Sequence, residues 1–312
     1  MKLFIIMNEK KSIIGHLSCF TAYLIFGLNI IVCKDLTSSN AISPLALSTL
    51  RTLGAGALFW LISLFRPKEM VELHDFPKIF AASVLGFFIT QVAFLLAIPR
   101  ITPMDCSIVA SLSPIYTMFI AAFAIKEPLS AQKIGGVVLS LCGVLYLILT
   151  SVTAASTVTE TTPMGVLLIV VNSFCFSLYL GIFKPLIAKY SAVTFMKWTF
   201  LFSSLLGLPF SAKELIAVDY YALPASYIAE LGFLVFFATF VTYFLIPIGQ
   251  KRLRPTLVSM YSYVQPIIAI VASICVGMDT LSWQKVVATI TVFSGVIIVS
   301  HSRKRDISTH NN

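Results

Sequence analysis

The sequence predicts an all-α polytopic membrane protein with ten transmembrane helices, arranged as two inverted five-helix repeats. Three observations carry this prediction: the hydropathy of the chain, a repeated residue pattern, and the placement of the basic residues. Of the 312 residues, 58% are hydrophobic and only 11% are charged, whereas a soluble domain carries about 25% charged residues. The mean hydropathy of +0.94 indicates that lipid is the solvent for most of the chain.

Ten apolar segments are long enough to cross a membrane, because a helix needs about 20 apolar residues to span the hydrocarbon core. The runs are continuous, which favours helices over the alternating strands of a barrel. The first run is too long for the core of a signal peptide and has no small-residue cleavage site, so we expect an uncleaved span. The predicted spans are 12–33, 44–65, 78–98, 103–125, 131–150, 164–187, 193–210, 227–248, 256–277 and 284–301.

A residue pattern around the fourth and fifth spans recurs 152 positions later, around the ninth and tenth. Such an internal duplication in a membrane protein is typical of transporters. It divides the chain into repeats at 12–150 and 163–302, whose first parts match more weakly at offsets of 150 and 149. The recurring pairs are Arg100/Arg252, Pro103/Pro255, Ser107/Ser259, Pro114/Pro266, Ile115/Ile267, Leu129/Leu281, Ser130/Ser282, Gln132/Gln284, Lys133/Lys285, Gly143/Gly295 and Val144/Val296.

The basic residues fall almost entirely on one side of this topology. With a cytoplasmic N-terminus, the inside loops hold 17 Lys and Arg, the outside loops hold four, and Arg51 lies within a span. Cytoplasmic loops retain positive charge, so both termini are predicted to be cytoplasmic in a multi-pass protein of the cytoplasmic membrane. Because five spans is an odd number, the second repeat enters the membrane from the opposite side.

The end of the first repeat carries a family signature in the run Glu127-Pro-Leu-Ser-Ala-Gln-Lys-Ile-Gly-Gly and the following Leu141-Cys-Gly-Val. This run resembles an EamA-type repeat of the drug/metabolite transporter superfamily. The residues that match are Pro114 in the fourth helix, Glu127 after it, Gly135, Gly136 and Gly143 in the fifth, and Arg51 early in the second. The second copy has Asp279 at the acidic position, only Gly295 in its last helix and no counterpart of Arg51. The resemblance implies a ten-helix carrier of small metabolites such as amino acids, with export favoured.

The sequence therefore predicts a secondary transporter that moves a small-molecule substrate across the lipid bilayer by alternating access. No GxxxxGK[ST], HExxH or GxSxG motif occurs, so we expect neither ATP hydrolysis nor a catalytic site of those kinds. A membrane-embedded enzyme and a non-transporting scaffold stay open as alternatives. Six single cysteines are interpreted as packing residues. No CxxC pair occurs, and neither a metal site nor a cofactor is predicted. No nucleic-acid partner is predicted either, since the basic residues lie in short loops and never form a polar face.

Polar side chains inside the spans are the candidate substrate contacts, because such groups are costly in lipid unless they face the bundle interior or a wet cavity. A proline also frees the carbonyl four residues before it, here at Ala110 and Ser262. The predicted substrate-binding residues are Gln265, Tyr263, Gln91, Asn172, Ser111, Pro114 and Pro266. The alternatives are interhelical hydrogen bonds for the amides and a kink whose freed carbonyl binds a neighbouring serine.

Several other polar positions receive structural predictions. Asn29 and Arg51 also lie within spans, and for Arg51 a structural partner and a substrate contact both stay open. Lys34 and Lys184, near helix ends, are expected to snorkel to the surface. Glu127 and Asp279 are expected to stabilise turns before capping serines, which leaves no carboxylate in mid-membrane as a proton carrier.

Small residues recur at a spacing of four in the last helix of each repeat, at Gly136 and Ser140 and at Thr291 and Gly295. This spacing predicts close helix–helix contact. The contact lies either within the chain or in a possible homodimer.

Overall fold

The computed structural model describes residues 2–39, 41–125, 131–153, 161–253 and 255–308, and this part of the chain is helical with no strand. By length and composition, seven of its helices could cross a membrane. They are Ile13–Ser38, Pro44–Leu64, Leu73–Arg100, Pro163–Ile182, Ala192–Ala217, Ala225–Arg252 and Leu257–Cys275. A shorter apolar helix covers Ile134–Leu147.

The first half of the chain begins with two uninterrupted helices, α1 (Lys2–Ser38) and α2 (Pro44–Leu64). A third helical path follows, from a 3₁₀ turn at Leu73–Asp75 to another at Ile98–Arg100. Between those turns it consists of α3 (Phe76–Ser83), a π-helical segment (Val84–Ile89) and α4 (Thr90–Ala97). The half ends with α5 (Pro103–Ala110), α6 (Ser113–Ile125) and α7 (Ala131–Thr153).

The second half repeats this order. It begins with α8 (Pro163–Ile182), the short α9 (Lys184–Lys189) and α10 (Ala192–Ala217). The next path joins α11 (Ala225–Val235), a π-helical segment (Phe236–Val241) and α12 (Thr242–Arg252). The last helices are α13 (Pro255–Met260), a 3₁₀ turn at Tyr261–Tyr263, α14 (Val264–Cys275) and α15 (Trp283–Ser308).

Local sequence explains where several of these helices begin. Ser43, Thr102 and Thr162 each accept a hydrogen bond from the backbone N–H three residues later, as capping side chains do. A proline follows each of them, and the first turn of a helix tolerates proline because its missing N–H has no helical partner there.

The predicted fourth span, 103–125, is divided rather than merely kinked. Its helix stops at Ala110, and a new one begins at Ser113. Pro114 lies in the first turn of α6, and its repeat counterpart Pro266 lies in the first turn of α14. Proline cannot donate to the carbonyl four residues back, so each proline fits best just after a break.

Helices of one half pack mainly against helices of the other half. The first helix of each half packs against elements of the other half: α1 contacts α12 and α14, and α8 contacts α4 and α6. The remaining main contacts pair α2 with α10 and α7 with α15. The packing is therefore pseudo-symmetric, with every main contact crossing between the halves.

Two lysines show this symmetry at atomic detail. Lys34 Nζ donates to the carbonyls of Ile98 and Ile101 at 2.9 and 3.0 Å. Lys184 Nζ donates to the carbonyl of Leu253 at 2.7 Å, and Leu253 lies 152 positions after Ile101. The snorkelling prediction is wrong for Lys34, which is buried, because the unpaired carbonyls at a helix end bind its ammonium group.

The two π-helical segments also lie 152 positions apart. Thr90 Oγ1 donates to the Leu85 carbonyl at 2.6 Å, and Thr242 Oγ1 donates to the Phe237 carbonyl at 2.7 Å. The weaker sequence match at an offset of 149 instead pairs Thr90 with Thr239, whose hydroxyl also donates to the carbonyl five residues before it, at 2.7 Å. A threonine stands at both candidate positions, and only the backbone distinguishes them.

The small residues of α7 and α15 pack on each other. A Cβ at Gly143 would lie 2.8 Å from Val292 Cγ2, and one at Gly295 would collide with Gly136 and Ser140. Ser140 Oγ also donates to the Val292 carbonyl at 3.2 Å. This face is covered within one chain, so it gives no basis for a homodimer contact.

Candidate functional site

A central cavity of about 70 Å³ lies between the two halves. One hydrophobic core cluster contains Cys33, Leu95 and Ile108, and the other contains Phe59 and Tyr179. The cavity lining consists of Tyr23, Phe26, Asn29, Arg51, Thr90, Gln91, Phe94, Ala110, Ser113, Asn172, Ser173, Phe176, Tyr243 and Gln265.

Three of the predicted substrate contacts, Gln91, Asn172 and Gln265, line this cavity. Asn172 Nδ2 donates to the Thr90 carbonyl at 2.8 Å, so the interhelical bond considered as an alternative is also present. Gln91 and Tyr243 line the cavity together. The three amides come from α4, α8 and α14, which brings both halves to one site.

The other four predicted contacts are not among the lining residues. Ser111, the first residue after α5, is fully buried, and its hydroxyl donates to the Ile108 carbonyl of that helix at 2.6 Å. The Tyr263 ring packs against Phe293, with ring centroids 5.7 Å apart. Pro114 and Pro266 are buried beside residues that do line the cavity. The two prolines therefore set the helix breaks without facing the cavity.

At the first break, the freed carbonyl has a local partner. Ser113 Oγ donates to the Ala110 carbonyl at 2.9 Å, and Ser177 Oγ donates to the Ser113 carbonyl at 3.1 Å. The neighbouring-serine alternative is thus the arrangement found at Ala110. Serines re-satisfy backbone groups in this way where membrane helices break.

Sequence reasoning missed the aromatic part of the lining. Tyr23, Phe26, Phe94, Phe176 and Tyr243 all face the cavity. The chain has 25 phenylalanines, and a phenylalanine facing lipid has the same local sequence signal as one facing a cavity.

Towards the helix ends that carry Asp75, an aromatic cluster closes the space beside the cavity. The ring of Phe87 lies 4.8 Å from Tyr243, 5.1 Å from Phe200 and 5.3 Å from Tyr179, measured between centroids. Such edge and tilted contacts are favourable aromatic geometries.

Two hydroxyls in the lining have no hydrogen-bond partner among the described residues, namely Tyr23 Oη and Ser173 Oγ. Both residues are buried, with 3% and 2% of their surface exposed. A buried hydroxyl without a partner carries a free-energy cost. These two groups are therefore available to a polar ligand or to water in the cavity.

Arg51 is the only charged side chain among the lining residues, and only 1% of its surface is exposed. Its Nε donates to Thr239 Oγ1 at 2.9 Å, and its Nη1 lies 3.3 Å from Cys33 Sγ. The guanidinium therefore has structural partners in both halves, and neither partner carries a formal charge.

Charged groups cluster at the end of the bundle that we name the Asp75 end, formed by residues 66–76, 183–191 and 251–253. Asp75 accepts hydrogen bonds from Lys78 (2.9 Å), Lys189 (2.7 Å) and Tyr190 (2.8 Å). The bonds to Asp75 and then to Glu72 raise the pKa of Lys189 above its ordinary range. Asp75 and Glu72 could join His74 around a metal ion, but the Asp75 oxygens already bind these donors.

The opposite end, which we name the Asp279 end, comprises residues 98–105, 161–165 and 276–285. Asp279 Oδ2 accepts the backbone N–H of Met104 at 3.1 Å, and its other oxygen binds Lys285. Asp279 therefore caps α5 of the other half rather than its own turn alone. Ser282 accepts the N–H of Lys285 as predicted for a cap, whereas Glu127 and Ser130 lie outside the described residues.

Apolar helices long enough to cross a membrane, enclosing a polar cavity, define a multi-pass helical membrane protein. The model of the EamA-like transporter family matches residues 13–149 and again residues 163–301. The chain belongs to the EamA-like transporter family, and it is a membrane transporter. This confirms the resemblance identified from the residues around Pro114 and Gly143.

Two similar proteins are also named as transporters, and one solved structure shares the fold. An uncharacterized transporter of Archaeoglobus fulgidus is 23% identical, covering 85% of this chain and 92% of its own. The uncharacterized inner membrane transporter YicL of Salmonella typhimurium is also 23% identical, covering 93% and 96%. A protein crystal structure matches the fold with a TM-score of 0.65 and 19% identity, covering 95% of this chain and 98% of that one.

Proposed function

We propose that the protein is a secondary transporter that moves a small metabolite, such as an amino acid or related solute, by alternating access. The observation that carries the proposal is a cavity that both halves of the chain line with polar side chains. Its lining residues come from the first, second, third and fourth helical paths of the first half and from the first, third and fourth of the second. Substrate sites at the interface of repeats, near the membrane midplane, are typical of secondary transporters.

Ten membrane spans in two inverted repeats, roughly 12–150 and 163–302, are part of the proposal. To the seven apolar helices it adds α5 with α6, α7 and α15 as three further spans. The large side chains exposed on α7 support this, because they recur at helical spacing along one face. They are Ile134, Val138, Leu141, Leu145 and Leu149, each at least 46% exposed. Such a stripe suits contact with lipid.

The orientation proposed from the basic residues puts the Asp75 end and both termini in the cytoplasm. Reporter fusions after residues 70, 160 and 280 test this topology. A cytoplasmic reporter at 70 and external reporters at 160 and 280 are expected. A cytoplasmic reporter at 160 contradicts the odd number of spans in the first repeat.

Export is the proposed direction, and no ATP hydrolysis or other enzymatic step is part of the mechanism. The test is the purified full-length chain in liposomes, with imposed gradients and a panel of amino acids, organic acids, nucleobases and organic cations. Movement of at least one solute, driven by a gradient without ATP, is expected. If no solute moves under any gradient, the transport proposal fails.

A toxicity screen of an overexpressing strain tests direction. For an exporter, overexpression raises the tolerated concentration of the substrate or its toxic analogue. Greater sensitivity to the transported solute contradicts export and leaves transport itself standing.

A further inference from the structure

Among the residues that the structure describes, no carboxylate forms an ion pair with Arg51. Its contacts to Thr239 and Cys33 use two of the five N–H donors of the guanidinium. The ion pairs found among the described residues lie at the Asp75 and Asp279 ends of the bundle, and none includes Arg51. The Glu230 carboxylate is in no ion pair either, and one of its oxygens has no hydrogen-bond partner among the described residues.

A buried guanidinium without a counter-ion is energetically costly. No aspartate or glutamate is present among the cavity-lining residues. The cavity therefore carries a net positive charge that a ligand can neutralise. A planar guanidinium matches a carboxylate in both charge and hydrogen-bond geometry.

We propose that Arg51 is the anion-binding residue of the cavity and that the substrate carries a carboxylate group. This inference rests on the proposed transport function and names the substrate class of the same site. One guanidinium pairs with one carboxylate group, so a molecule with a single carboxylate fits better than a phosphate ester with two negative charges. Organic cations are disfavoured, because the same charge repels them in a low-dielectric site.

The unpartnered hydroxyls give the ligand a second point of attachment. Tyr23 and Ser173 both line the cavity and are more than nine-tenths buried. A polar group elsewhere on the carboxylate-bearing molecule would satisfy them. An α-amino group and a 2-oxo group both meet this requirement, so amino acids and 2-oxo acids form the two arms of the test.

The first experiment measures ligand-induced thermal stabilisation of the purified full-length protein. The probes are L-leucine, L-phenylalanine, their 2-oxo acid analogues and benzoate, each compared with its primary amide, together with benzylammonium. At least one carboxylate is expected to raise the unfolding temperature at millimolar concentration, whereas its amide and benzylammonium do not. Stabilisation by the amides or the cation, and not by the carboxylates, overturns the proposal.

The second experiment compares Arg51→Gln with Arg100→Gln. Arg100 is an exposed arginine that donates to the Leu96 carbonyl of its own helical segment, so it controls for loss of a guanidinium away from the cavity. Arg51→Gln is expected to weaken carboxylate binding at least about tenfold, with Arg100→Gln within about twofold of wild type. Equal carboxylate affinity in Arg51→Gln and wild type overturns the proposal.

Folding of Arg51→Gln is judged from its elution as a single species and its ligand-free unfolding temperature. If it does not fold, Arg51→Lys and the preference of wild type for acid over amide decide the matter. Transport of only cations or neutral solutes in liposomes overturns the inference but leaves the transport function standing. The absence of any transport contradicts that function itself.

Discussion

Gln265 and Ser111 lie beside equivalent helix breaks, but only Gln265 faces the cavity. We expect Gln265→Ala to raise the KM for transport about tenfold, since a lost hydrogen bond to substrate costs roughly 1.4 kcal/mol. Ser111→Ala removes only a bond within one helix, so its KM is expected to stay within about twofold of wild type. Uptake kinetics in liposomes measure both values. Equal loss in both variants contradicts a specific role for Gln265.

Lys34 is a second residue whose role the structure defines, because its ammonium group binds two carbonyls at the end of the third helical path. We expect Lys34→Met to lower the free energy of unfolding by about 1–3 kcal/mol, since the buried acceptors Ile98 and Ile101 lose their partner. Thermal and denaturant unfolding in detergent measure the change.

Substitutions of Lys213 and Lys184 serve as comparisons for Lys34→Met. Lys213 is exposed, so Lys213→Met is expected to change stability by no more than about 0.5 kcal/mol. Lys184→Met is expected to destabilise in the same direction as Lys34→Met but by less, because Lys184 is only half-buried. No loss of stability from Lys34→Met would show that the carbonyls find other donors.

Individual residues differ in how far their positions could be predicted from the sequence. Gln91, Asn172 and Gln265 stand out because an amide in lipid is costly, and all three line the cavity. The lining residues Phe94 and Phe176 could not be identified this way, since lipid and an aromatic cavity wall both accept phenylalanine. Tyr263 was predicted from its position beside a proline, but the direction of its side chain depends on the 3₁₀ turn that contains it.

At the scale of helices, the contact between α7 and α15 depends on two glycines. We expect Gly295→Leu and Gly143→Leu each to destabilise the protein by several kcal/mol, because the new side chain collides with the facing helix. Gly135→Leu is the matched control, since a Cβ there meets nothing within 4 Å. Unfolding temperature and the yield of folded protein measure the effect.

The oligomeric state of the same variants tests the alternative use of this face. The α7–α15 contact is internal, so Gly295→Leu should reduce stability at any protein concentration. A variant that keeps its stability but dissociates into smaller species would instead indicate a contact between subunits. Size-exclusion chromatography with light scattering distinguishes the two results.

Helix starts and the packing of the two halves could be predicted from the sequence, because prolines and the internal duplication mark them. Pro103, Pro114 and Pro266 mark helix starts, and the packing of the halves repeats the duplication. The π-helical segments Val84–Ile89 and Phe236–Val241 carry no comparable signal, since their residues also suit an α-helix. The extra backbone carbonyls they free bind Thr90 and Thr242, which are ordinary residues for a span.

For the molecule as a whole, contacts between the two repeats close both ends of the bundle. Asp75 binds Lys189 and Tyr190 at one end, and Met104 binds Asp279 at the other. The cavity lies between these ends. In a carrier that works by alternating access, the contacts at one end must break while those at the other hold.

This mechanism predicts that weakening the Asp75 end opens the cavity towards the cytoplasm. Asp75→Asn and Lys189→Gln both remove the charge pair that joins the repeats, so each is expected to raise the population of the inward-open form about fivefold. Lys78→Gln is the matched control, because Lys78 binds the same carboxylate from within the first repeat. It leaves the Asp75–Lys189 pair in place, so we expect at most about a twofold change.

The measurement uses a single reporter cysteine, Asn29→Cys, in a protein whose six native cysteines are replaced. A membrane-impermeant maleimide applied to inside-out vesicles then reports access to the cavity from the cytoplasmic side. In inside-out vesicles, Asp75→Asn and Lys189→Gln should speed labelling. In right-side-out vesicles, the same variants should label no faster than the reporter protein with Asp75 and Lys189 intact. Equal acceleration by Lys78→Gln would mean that the local helix end, rather than the contact between repeats, controls access. Faster labelling from outside would mean that the Asp75 end faces the opposite side of the membrane.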